Sequence, residues 1–170
     1  MLLDNKNAVI YGAGGSIGGA VAKEFAREGA RVFLAGRTRD PLEAVAADIS
    51  SSGGSAEVAI LDALDEEAVD EHARAMVSEA GGIDVSFNLI TRGDVQGIPL
   101  IEMATDDLLH AVVNGLRSNF ITARAAAPHG RAGLRRHPCA RQRFSQRKPH
   151  DGQHRSRRCC YRHPRPQPGG

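Results

Sequence analysis

Apolar and polar positions alternate along the first 130 residues in blocks that switch period. "NAVIY" (7–11) is a short apolar run stopping at glycine, as a buried strand does. "SIGGAVAKEFAREG" (16–29) then places Ile17, Ala20, Val21, Ala22, Phe25 and Ala26 at helical spacing and closes on Gly29. "ARVFLAG" (30–36) and "AEVAILD" (56–62) repeat the strand pattern, and "IDVSFNLI" (83–90) supplies a fourth strand. Between them, "DPLEAVAADIS" (40–50) predicts a helix with Asp40 as N-cap and Pro41 at the first helical position. "DEEAVDEHARAMVSEAGG" (65–82) predicts a helix with acids in its first turn, where they oppose the helix dipole. "TDDLLHAVVNGLRSNFITARAAA" (105–127) predicts a long helix opened by a Thr-Asp-Asp cap. Strands alternating with helices of this length imply parallel βαβ units with right-handed crossovers, hence an α/β, doubly wound sheet in the order 3-2-1-4.

Composition divides the chain in two. Of the 170 residues, 1–129 carry ten Lys and Arg against nineteen Asp and Glu, whereas 130–170 carry twelve against Asp151 alone. All three cysteines, five of the eight prolines and only one of the acids fall in the second part. The expected organisation is a folded domain over 1–129 followed by a basic, Arg/Pro-rich tail over 130–170. The first part has no cysteine to build a disulfide framework. The start of the chain has acids and amides too early for a signal peptide, and no apolar run approaches the roughly 20 residues that span a bilayer. A cytoplasmic protein with no membrane partner is expected.

The turn between strand 1 and helix 1, "YGAGGSIGG", is where chemistry enters. Gly12, Gly14, Gly15, Gly18 and Gly19 remove Cβ atoms where backbone must approach a ligand or a neighbouring element. Ser16 and Ile17 open the helix, whose N-terminus offers N–H groups and partial positive charge to a pyrophosphate. A glycine turn after a first strand, followed by three more strand units, predicts a Rossmann-like dinucleotide site. An NAD site usually has an acid at the end of strand 2 for the ribose 2′-hydroxyl. This chain has Gly36 and Arg37 there, and a guanidinium suits a 2′-phosphate. NADP is therefore expected rather than NAD, with Arg39 nearby as a second arginine that could serve instead.

Over about residues 5–128 these features resemble the short-chain dehydrogenase/reductase family. The family's Thr-Gly-x-x-x-Gly-x-Gly turn aligns with "YGAGGSIG" (11–18), and its Asn-Asn-Ala-Gly stretch with "NLIT" (88–91). The resemblance implies that Asp62 touches adenine, that Asn88 belongs to the cofactor site, and that Asn114 holds the long-helix position of the active site. It also implies hydride transfer between nicotinamide and a carbonyl or alcohol substrate. The sequence departs from the family at Tyr11, Ser16, Leu89, Ile90 and Thr91.

Family members continue with a fifth strand, a catalytic Ser and a Tyr-x-x-x-Lys pair in which Lys lowers the Tyr pKa. No such pattern occurs here; "YRHPR" (161–165) carries Arg in place of Lys. Arg, Pro, His, Gln and Cys crowd together as they do when a GC-rich gene is read out of frame. Shifted by one base, the codons for 134–139 permit Ser-Val-Val-Ile-Leu-Ala, a good fifth strand. The tail is thus expected to be a frameshift product, or else a basic segment too poor in apolar residues to fold. After Phe144 the same arithmetic permits no restored tyrosine up to residue 170, so the parent would itself lack the usual catalytic Tyr there. Specific nucleic-acid binding is not expected from a tail whose aromatics are Phe144 and Tyr161. The spacing of Cys139, Cys159 and Cys160 matches no common zinc site. The chain is expected to have no turnover of its own; the alternative is a non-catalytic dinucleotide-binding module or a structural remnant. Any homo-oligomer is expected to form through the 105–127 helix.

Overall fold

The structure is a computed structural model and describes residues 1–130. The expectations for the basic segment fall outside these residues. Four strands and four long helices alternate: β1 (Asn7–Tyr11), α1 (Ser16–Arg27), β2 (Arg31–Gly36), α2 (Arg39–Ser51), β3 (Ser55–Ile60), α3 (Glu66–Ala80), β4 (Val85–Asn88) and α4 (Thr105–Ala126). A single turn of 3-10 helix, Ala127–His129, follows. The strands form one parallel sheet in the order β3-β2-β1-β4, as the pattern implied.

After their first residues, Asn7 and Arg31, the central strands are apolar because helices cover both faces of the sheet. Side chains of a strand alternate between faces. Ala8, Ile10, Val32 and Leu34 accordingly pack with Ala22, Leu42, Val45 and Ile49 of α1 and α2. Their neighbours Val9, Tyr11, Phe33 and Ala35 pack with Val69, Ala73 and Met76 of α3 and Ile121 and Ala125 of α4. The register sets Tyr11 beside Ala35 on one side and Asn88 on the other, so β1 and β4 end level and β2 runs one residue further. That common carboxyl edge is where an open α/β sheet receives ligands.

Element boundaries depart from the sequence reading at the caps. Helix α2 begins one residue before Asp40: Thr38 is the N-cap, Asp40 lies in the first turn and Pro41 is the third helical residue. Proline is tolerated there because the first turn's N–H groups lack helical acceptors anyway. Ala104 caps α4, so Thr105 is its first residue and makes no side-chain cap. Asp65 does cap α3, accepting from the backbone N–H of Glu67 and Ala68, each at 3.1 Å. Strand β4 is half the length expected. It ends where Asn88 Oδ1 accepts from the Ile90 N–H at 3.2 Å and bends the chain out of the ladder. Before β4, Ile83 donates to the His129 carbonyl at 3.0 Å and bridges Gly130 in parallel.

Candidate functional site

Four loops converge on the carboxyl edge. The β1–α1 turn opens at Gly12, which has a φ of +82° and donates its N–H to the Ala35 carbonyl at 2.8 Å. A Cβ on Gly12 would lie 2.6 Å from the Leu89 carbonyl oxygen, so this turn and the β4 loop pack backbone to backbone. A Cβ on Gly18 would lie 2.2 Å from the Gly12 oxygen, so α1 closes directly onto the turn. Gly15 is the extended N-cap of α1, and Ser16 and Ile17 are its exposed first residues. Their N–H groups have no carbonyl one turn back, which makes this helix end an anion site in waiting.

A cavity of about 220 Å³ lies over this edge. Its floor includes Gly12, Gly14 and Gly15; Arg37 and Thr38 form the β2–α2 side, Asp62 the β3–α3 side, and Leu89–Thr91 the far end. The first turn of α2 supplies a wall, Pro41 and Leu42, that the sequence reading did not single out. Pro41 stands where a Cβ on Gly14 would come within 3.0 Å of it. The available signal was that α2 begins within three residues of β2, which forces its first turn onto the same edge.

The residues singled out from the sequence divide into two groups. Gly12, Gly14, Gly15, Arg37 and Asp62 line the cavity. Gly18 packs beneath it, and Ser16 and Ile17 stand at the helix start. Asn88 and Asn114 lie on the β4–α4 side, with their Nδ2 groups already engaged. Asn88 Nδ2 donates to Ser118 Oγ at 3.1 Å and Asn119 Oδ1 at 3.0 Å. Asn114 Nδ2 donates to the Arg92 carbonyl at 3.3 Å and lies 2.9 Å from His110 Nε2.

The two candidate arginines also separate. Arg39 Nη1 is held 3.1 Å from Glu43 one turn along α2. Arg37 is exposed, lines the cavity, and has no ionic partner among the described residues. Asp62 accepts the Leu64 N–H at 3.0 Å through Oδ1. Tyr11, where the family has threonine, has its phenol pushed up to about 12, first by burial and then by the Asp70 charge. It is therefore a protonated core residue at neutral pH, and no acid–base group.

Glycines whose missing Cβ atoms leave a floor for backbone approach, a helix N-terminus and a cation with no carboxylate partner among the described residues fit an anionic nucleotide. Fold and edge together define a Rossmann-like α/β domain. A family model described as enoyl-(acyl carrier protein) reductase matches residues 12–136. An uncharacterized oxidoreductase of Bacillus subtilis, YxbG, is 36% identical over 127 residues, covering 74% of this chain and 46% of that protein. The zebrafish hydroxysteroid dehydrogenase-like protein 2 is 32% identical, covering 71% of this chain and 30% of its own length. A metagenomic short-chain oxidoreductase, solved in complex with NADP, superposes with a TM-score of 0.66 at 31% identity, over 75% of this chain and 57% of that one. A dehydrogenase/reductase from Sinorhizobium meliloti 1021 gives 0.67 at 32%, over 75% and 50%. The chain belongs to the short-chain dehydrogenase/reductase family, and it spans about half the length of the relatives it matches. Among the described residues no helix is long and apolar enough to cross a membrane.

Proposed function

We propose that the chain carries the cofactor half of an NADP-dependent oxidoreductase and, as these 170 residues stand, binds the cofactor without turnover. The observation that carries this reading is Arg37, a cavity-lining guanidinium with no carboxylate partner among the described residues, at the strand end where an NAD site would place an acid. When bound, the nicotinamide would supply or accept hydride from a carbonyl or alcohol substrate. The chain's own contribution is to hold the dinucleotide. Gly12, Gly14 and Gly15 admit backbone to the pyrophosphate, and the N–H groups of Ser16 and Ile17 face its charge. Gly18 lets α1 close onto that turn. Asp62 accepts from adenine, Arg37 pairs with the 2′-phosphate, and Asn88 shapes the β4 loop through Ile90. Asn114 keeps the active-site position on α4 by holding the Arg92 carbonyl.

The absence of turnover follows from the missing proton donor. Neither tyrosine of the chain starts a Tyr-x-x-x-Lys pattern, and Tyr11 is buried. The purified chain is expected to bind NADPH and to leave its absorbance unchanged with a panel of aldehydes and ketones; steady oxidation of NADPH would overturn the reading. Self-association through α4 belongs to the same proposal. Leu108, Leu109, Val112, Val113, Leu116 and Phe120 form an exposed apolar stripe along that helix.

A further inference from the structure

The β4–α4 loop rests on α4 at three points. Arg92 lays its side-chain stem over Gly115, where a Cβ would come 2.5 Å from the arginine Cδ. Gly93, with a φ of +81°, passes over the ring of His110, whose Cδ2 would lie 3.1 Å from a Cβ there. The Arg92 carbonyl accepts from Asn114 Nδ2 at 3.3 Å, and the same nitrogen lies 2.9 Å from His110 Nε2. Thr91, just before these contacts, lines the cavity.

A backbone carbonyl can only accept a hydrogen bond, so Arg92 fixes which way the Asn114 amide faces. The amide nitrogen can only donate, so it fixes His110 in turn: Nε2 is the acceptor and the ring carries its proton on Nδ1. From this we infer that His110 is a positioning residue. Its neutral imidazole holds the Asn114 amide, and through it the loop beside the cavity, and its protonation releases that loop.

On protonation Nε2 gains a hydrogen and becomes a donor. Two donors then face each other across the 2.9 Å contact. If the amide turns to offer Oδ1 to the imidazolium, that oxygen meets the Arg92 carbonyl, acceptor against acceptor. Neither arrangement keeps all three groups paired, so the loop loses its hydrogen-bonded hold on α4. The charged groups that flank His110 are Asp106 and Asp107 on the preceding turn of α4, and Arg92 and Asp94 on either side of Gly93 in the loop. The latch does not depend on which nucleotide the cavity holds.

Nuclear magnetic resonance of the full 170-residue chain tests this. The His110 ring nitrogens, the Asn114 side-chain amide and the Gly93 amide are followed from about pH 8 to about pH 5, across the range in which a histidine changes charge. At the upper end His110 is expected as the Nδ1–H tautomer. On acidification the Asn114 and Gly93 signals should shift with the same midpoint as the His110 ring, and nitrogen relaxation should report greater motion over residues 93–97. His110→Gln places an oxygen that accepts at any pH one helical turn from Asn114, and should hold these signals at their upper-pH positions throughout. His110→Ala removes the acceptor and should hold them near their acid positions throughout. An Nε2–H tautomer at the upper end would overturn the inference. So would Asn114 and Gly93 signals that do not follow the ring, or that still titrate in His110→Gln, which would assign the change to Asp94, Asp106 or Asp107.

Discussion

At Gly18 the space for a side chain is already occupied, because a Cβ would sit 2.2 Å from the Gly12 oxygen and 2.9 Å from the Ala13 Cα. These are backbone atoms and cannot rotate away. Gly18→Ala is therefore expected to lower stability by about 2–3 kcal/mol, read from urea melts, and to shift α1 relative to the turn. A second residue-scale outcome concerns His72. Its ring stands edge-on to Tyr11 and Phe33, with Nδ1 buried and without a hydrogen-bond partner among the described residues. Burial pushes its pKa below the usual histidine value. The unfolded chain then binds a proton that the native state refuses, so stability is full above the unfolded pKa of about 6.5 and falls as pH drops below it. Thermal melts at pH 7.5 and 5.5 should show this fall, and His72→Leu should remove most of it. An unchanged slope in the variant would assign the effect to other groups.

At the scale of the element, the caps distinguish helices that look alike in sequence. Asp65 satisfies two N–H groups of α3, whereas Thr105 satisfies none of α4. Asp65→Ala should cost about 1 kcal/mol in denaturant unfolding. Thr105→Ala should stay within about 0.5 kcal/mol of the parent chain. The 22 residues of α4 run about 33 Å and show one face to the core through Ser118, Ile121 and Ala125. The opposite stripe is exposed, Leu116 by 72% and Phe120 by 62%. An apolar face of that extent predicts association. Sedimentation velocity should show dimers or larger species at micromolar concentration, and Val112→Glu with Leu116→Glu should shift them to monomer. A parent chain that sediments as monomer would remove α4 as an association surface.

For the whole molecule, the two-sided sheet explains why its order was readable. A strand buried on both faces must be apolar throughout, and Val9 and Ile10 or Phe33 and Leu34 announce that directly, independent of what they touch. Glycine at 12 and 18 was readable for a local reason, the φ of +82° at Gly12 and the closure of Gly18 onto the Gly12 carbonyl, whereas the approach of Leu89 to Gly12 came from the fold. Arg37 was readable as a candidate through its place after β2, but Arg39 competed with it. Their difference lay in Glu43, one helical turn away from Arg39, and helix α2 had to be built before that pair existed.

What the sequence determined by itself was therefore the alternation of strand and helix, the sheet order and the glycine turn, because each rests on period or backbone conformation within a few neighbouring residues. Tertiary structure alone decided the bonds that hold the Asn88 and Asn114 side-chain Nδ2 groups and the burial of His72 Nδ1. Those depend on groups up to dozens of residues apart meeting at a distance of about 3 Å, and hydrogen-bond range is set by the packed fold, not by spacing along the chain.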